Sequence, residues 1–174
     1  MQRLDTKVTT LLGKMTKPPT VLESLRDHRF AHFVCHGTLV AEKPFDASFG
    51  LHEGNRLTLL DLVRSRLPTA EFAFLSACHT AELTEGSIAD EGLHLAAAVQ
   101  YCGFRSVVGT MWAMADEDGG DLTELFYTSM FSSGEAEDPY HERSARALRD
   151  AVRSLRKKKS LPLEQWVNFV HYGA

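Results

Sequence analysis

The sequence predicts a single α/β domain, a sandwich around a mainly parallel sheet, and three observations carry that expectation. Three near-continuous apolar runs, Phe30 to Cys35, Phe72 to Cys78 and Ser106 to Trp112, have the composition of strands covered on both faces. Segments with apolar residues at helical spacing alternate with these runs. The length of 174 residues, 44% hydrophobic and 24% charged, suits one domain that buries its own core without staples.

In chain order, Val8 to Leu12 reads as a short strand ended by Gly13. Pro18-Pro19-Thr20 opens a helix, with Thr20 as its cap and Val21, Leu22 and Leu25 on the apolar side, ending near Arg29. The run Phe30 to Cys35 stops at His36-Gly37, which places the histidine at a strand exit. Interrupted alternation from 38 to 58 suggests a loop and then a hairpin around Gly54-Asn55. Thr58 to Leu67 has Leu59, Leu60, Leu62, Val63 and Leu67 at helical spacing. After Pro68 comes the run ending at Cys78, then a polar loop from Ala81 to Asp90. Asp90 or Glu91 starts an Ala-rich helix through Gln100, closed by Gly103. Ser106 to Trp112 leads through Ala115 to Gly120 into a helix from about Asp121 to Phe131. Ser132 to Asp138 reads as a linker, Arg143 to Lys159 as the last helix, and Trp166 to His171 as a terminal strand.

Nineteen Lys and Arg against twenty-three Asp and Glu leave a net charge of −4, the opposite of a dedicated nucleic-acid binder. The longest apolar run, Leu95 to Val99, is far short of a membrane span, and Met1-Gln2-Arg3 is followed by no apolar signal region. The expectation is a cytoplasmic protein that binds neither nucleic acid nor membrane. Three cysteines, Cys35, Cys78 and Cys102, are too few for a disulfide scaffold and include no CxxC pair.

Ligand crevices of open α/β sheets lie beyond the carboxyl ends of the strands. Two runs deliver His36 and Cys78 to that edge, 42 positions apart. A thiol attacks as thiolate, and an imidazole beside it can take its proton. The N–H groups of Gly37 and Cys78 could together hold an oxyanion, worth about 2.7 to 4 kcal/mol for a well-placed donor. Taken alone, Cys78 also reads as a small buried hydrophobe. Cys35 and Cys102 read as core and structural thiols.

Five segments carry a resemblance: His32-Phe-Val-Cys-His36-Gly37, Leu75-Ser-Ala-Cys78-His-Thr-Ala81, Ala89-Asp-Glu-Gly-Leu93, the helix with Leu95-Ala-Ala-Ala98, and Ser106 to Trp112 followed by Asp116. In that order they resemble the CHAT domain, a caspase-like domain related to separase within the caspase-haemoglobinase group and often found behind tetratricopeptide repeats. The resemblance runs from about Leu11 to Gly173, over a single domain of residues 1–174. It implies a three-layer sandwich and a cysteine endopeptidase with His36 as general base and Cys78 as nucleophile, needing no cofactor. Many such domains have a further strand before the segment matching Leu11-Leu-Gly13. The resemblance therefore implies the C-terminal part of a longer chain, its first strand missing, with upstream repeats or a sensor as partners of the site beside a protein or peptide substrate. Some basic-specific relatives carry Asp two positions before the nucleophile; here Ser76 stands there.

Ser76, Asp90, Glu91, Trp112, Asp116 and Asp118 follow strand exits and are candidates to line a substrate pocket. Acids at helix starts equally suit the helix dipole, and Trp112 equally suits a core. His32 and His36, on one face of a straight strand, would stand about 13 Å apart, too far to share a metal. His79 lacks further ligands at zinc-like spacing. The basic run Arg153 to Lys159 complements a helix C-terminus and reads as a solvated face. A different class of function, a catalytically silent CHAT-fold module for protein interaction or self-association, stands beside the enzyme. So does an effector whose loops, Thr84 to Glu91 and Asp116 to Gly120, are ordered by an activator.

Overall fold

The computed structural model describes residues 8–38, 43–76, 78–79, 91–110, 116–132, 139–159, 162 and 166–173. The expected strand at Val8 to Leu12 does not form. That segment has no regular structure: Val8 and Leu12 are largely exposed, and Leu11 alone of its apolar side chains packs against the core. Helix α1, Pro18–Asp27, starts with its two prolines in the first turn, where a missing N–H costs nothing. Its N-cap is Lys17, without a side-chain cap, and Thr20 lies inside the helix, a correction to the expected cap.

The first apolar run divides. Strand β1 is Phe30–Phe33, and after Val34 and Cys35 strand β2, His36–Thr38, begins in another sheet. The expected hairpin is present: β3, Ser48–Gly50, pairs antiparallel with β4, Arg56–Thr58, across a turn closed by the Leu51 N–H to the Asn55 carbonyl at 2.8 Å. Thr58 then caps helix α2, Leu59–Ser65. The Asp61 N–H donates to its hydroxyl at 3.1 Å, and its own N–H donates to the Asp61 carboxylate at 3.0 Å.

The second run divides as the first did, into β5, Phe72–Leu75, and β6, Cys78–His79. Helix α3 is Glu91–Tyr101, and Gly103 follows it at φ +119, with the space of a Cβ 3.1 Å from the Leu67 carbonyl oxygen. That approach requires glycine. Strand β7, Ser106–Thr110, precedes α4, Asp116–Ser132. Helix α4 starts five residues before the expected Asp121, so Asp116 to Gly120 is its first part and not a loop. Helix α5, Tyr140–Lys159, starts three residues early, and β8, Phe169–Gly173, lies later than Trp166 to His171, with Trp166 outside it. Of the expected linker Ser132 to Asp138, Ser132 is the last residue of α4 and 133–138 lie outside the described residues.

Among the described residues the strands form two four-stranded sheets. The larger has order β1-β5-β7-β8, with β1, β5 and β7 parallel and β8 antiparallel to β7; the smaller has order β4-β3-β2-β6. Alternation along the large sheet separates two cores. Ala73, Leu75 and Val107 join Leu25 of α1, Leu62 of α2 and Val99 of α3. Phe72, Phe74 and Val108 join Phe126 of α4 and Leu148 of α5 on the other side. This is the layering of a caspase-like sandwich: helices, mainly parallel sheet, helices. No described helix is long and apolar enough to cross a membrane.

Candidate active site

The two divided runs lie side by side and divide at the same level. Before the break, Phe33 of β1 pairs with Leu75 of β5; after it, His36 of β2 pairs with Cys78 of β6, again in parallel. Both pairs are 42 positions apart, so the register is the same before and after the break. Neighbouring strands run about 4.8 Å apart, which sets the backbones of His36 and Cys78 beside each other. Gly37 follows in the ladder between Phe49 and His79 and is buried. On the outer side of β2, Gly50 of β3 lies against His36: the space of a Cβ there is 3.4 Å from the His36 carbonyl oxygen, an ordinary contact.

His36 is exposed. It does not sit past a strand exit, as its position after an apolar run suggests, but starts a strand of the second sheet. The straight-strand distance between His32 and His36 therefore does not apply. Ser76, half-buried in the break, donates its N–H to the Phe33 carbonyl at 2.9 Å. Its hydroxyl is 2.9 Å from Nε2 of His32. The ring of His32 lies 4.9 Å from that of Phe74 and 5.8 Å from that of Tyr127, centre to centre. These aromatic neighbours desolvate the imidazole and lower its pKa below the ordinary histidine value. The residue is nevertheless exposed, and the water that reaches it moderates the effect.

Of the other pocket candidates, Glu91 begins α3, and Asp116 and Asp118 lie in the first turn of α4, placed here by their backbone. Asp90 and Trp112 lie outside the described residues. In the chain, helix α4 comes next after β7, whose carboxyl end lies beside that of β5 in the larger sheet. Cys35 is half-buried against the core and Cys102 is buried, its sulfur 3.9 Å from the Leu59 carbonyl. Burial pushes each of these thiols up to about 11, which leaves them as thiols and poor nucleophiles at neutral pH. Among the described residues no group of three or more His, Cys, Asp and Glu is placed to hold a metal ion.

Sequence reasoning considered His32 only as a metal partner and so missed its contact with Ser76. The signal was the shared 42-residue offset: it sets His32 opposite Phe74 and diagonal to Ser76 on one face of the sheet. A family model described as the CHAT domain matches residues 1–174. No curated protein matches the chain.

Proposed function

The chain belongs to the CHAT domain family, and from that premise we propose that it is a cysteine endopeptidase in which His36 is the general base and Cys78 the nucleophile. One observation carries the reading: the parallel register that pairs His36 with Cys78 across adjacent strands. His36 takes the thiol proton, the Cys78 sulfur attacks a peptide carbonyl, and the N–H groups of Gly37 and Cys78 receive the developing oxyanion. His36 then returns the proton to the leaving amine, and water hydrolyses the thioester. The chemistry needs no cofactor. The inert character of Cys35 and Cys102 supports the assignment of the nucleophile by leaving Cys78 as the thiol at the sheet edge.

The substrate is a protein or peptide segment bound along the carboxyl edge of the large sheet. Ser76, Asp90, Glu91, Trp112, Asp116 and Asp118 line the approach in this proposal. A cationic side chain would be met by the acids near the starts of α3 and α4, while Ser76 offers it a hydroxyl and no charge. Upstream repeats or a sensor would act as the activator of this site.

A peptide-library cleavage assay tests the reading. Wild type is expected to cleave, Cys78→Ala to lose cleavage, and His36→Ala to fall by roughly 10²- to 10⁴-fold in kcat. Cleavage that survives in Cys78→Ala overturns the mechanism. Absence of cleavage by wild type, alone and joined to its upstream chain, favours the silent interaction module instead.

A further inference from the structure

The register is the same on both sides of the paired break, although the two pairings belong to different sheets. A β-ladder transmits register through consecutive backbone bonds, and a slip by one residue exchanges every partner. Here β1 and β5 end at Phe33 and Leu75, and pairing resumes at His36 and Cys78 in a different sheet. A slip of one residue on either side would set His36 opposite residue 77 or 79.

Two bonds span the start of the break: the Ser76 N–H to the Phe33 carbonyl at 2.9 Å, and the Ser76 hydroxyl to His32 Nε2 at 2.9 Å. The first is a continuation of the ladder. The second is a side-chain bond, and it is diagonal: His32 faces Phe74 in register and reaches Ser76, two residues further along the chain. Phe74 and Tyr127 fix the plane of the imidazole and so aim Nε2 at the hydroxyl. His32 lies four residues before His36, and Ser76 two residues before Cys78.

We propose that His32 and Ser76 form a cross-strand positioning pair that holds the register through the break and so sets the spacing of His36 and Cys78. This rests on the reading of those two residues as the dyad. Neither member is a catalytic residue; each acts through the strand that follows it. Ser76→Ala and His32→Phe both remove the bond, and the latter keeps an aromatic ring between Phe74 and Tyr127. Ser76→Thr keeps the hydroxyl.

The test is the pH dependence of Cys78 alkylation by iodoacetamide, read by mass spectrometry of the peptide that contains it, alongside thermal unfolding and steady-state cleavage. Cys35 and Cys102 react slowly near neutral pH because their thiols are held at about 11. In the folded single variants the alkylation midpoint is expected to rise toward that of a free thiol. The kcat is expected to fall by roughly 10- to 100-fold in both, with little change in KM in His32→Phe, whose side chain is not placed on the substrate approach, the size of effect that follows a misplacement of about 1 Å. The double variant should be no worse than either single one, because one bond is lost in each case, and Ser76→Thr should retain the wild-type midpoint. If His32→Phe fails to fold, Ser76→Ala and Ser76→Thr decide. An unchanged midpoint in folded Ser76→Ala overturns the proposal, as does a wild-type Cys78 that already titrates as a free thiol. Failure of the protease reading is seen separately, as cleavage that survives Cys78→Ala or as no cleavage at all, while the alkylation midpoint still reports the positioning pair.

Discussion

Ser144 Oγ lies 2.6 Å from Ser106 Oγ and 2.9 Å from His171 Nε2, and it donates to the His141 carbonyl at 2.6 Å. Ser106 Oγ is 2.8 Å from the same Nε2. The only proton of Ser144 is committed to His141, so the three-way contact needs its remaining protons from Ser106 and from the imidazole. That assigns the His171 proton to Nε2, which donates to the two hydroxyls while Ser106 donates to Ser144. The cluster ties α5 to β7 and β8 through two fully buried serines. Ser144→Ala takes the acceptor from the buried Ser106 hydroxyl and from the His171 imidazole, and a loss of about 1 to 3 kcal/mol is expected in urea unfolding. Gly173, two residues beyond His171, sits at φ +128 with the space of a Cβ 2.3 Å from the Arg105 carbonyl oxygen. Sequence reading singled out none of these residues, because a lone serine or histidine declares its partner only when distant strands meet.

The capping box at α2 was open to recognition in the Thr58-Leu59-Leu60-Asp61 order, since its bonds run within four residues. Thr58→Ala is expected to cost about 1 kcal/mol, read as a lower thermal midpoint with an unchanged far-UV spectrum after refolding. By contrast, α5 derives its extent from α4. They form an antiparallel pair: Phe131 meets Tyr140 at one end with ring centres 5.6 Å apart, and Lys159 Nζ meets an Asp121 carboxylate oxygen at 2.8 Å at the other. Between them, Phe126 stacks on Phe72 at 5.4 Å and meets Phe74 edge-on at 5.1 Å. The pairing carries α5 back to Tyr140, three residues before its expected start, while α4 begins beyond the contact with Lys159 and runs over Gly119 and Gly120, whose own preference is not helical. The strand expected at Val8 to Leu12 is the converse, a fair local pattern that pairs with no strand among the described residues and sets only Leu11 against the core.

Two neutral imidazoles give the whole molecule a defined response to acid. Desolvation lowers the pKa of both His32 and His171 from the ordinary value of 6.5. The unfolded chain then binds more protons than the folded one as pH falls below about 6.5, so stability is complete above that value and declines beneath it. Water at His32 screens its share, which makes the half-buried His171, held by two serines, the better probe. The urea midpoint is expected to be lower at pH 5 than at pH 7.5, with a smaller difference in His171→Gln; equal differences in the two proteins would assign the response elsewhere. Asp121, held below the usual carboxylate range by the hydrogen bond from Lys159, enters only under about pH 4. Continuous apolar runs, breakers and helical spacing were enough to read a mainly parallel α/β sandwich, and the motif order was enough to read its family, because burial on both faces and turn chemistry are written in neighbouring residues. The division of two strands at one level, the register that sets His36 against Cys78, and the bond between His32 and Ser76 were decided by the tertiary structure alone. Each depends on which remote segment lies alongside, and that choice is made by the packing of both faces of the sheet together.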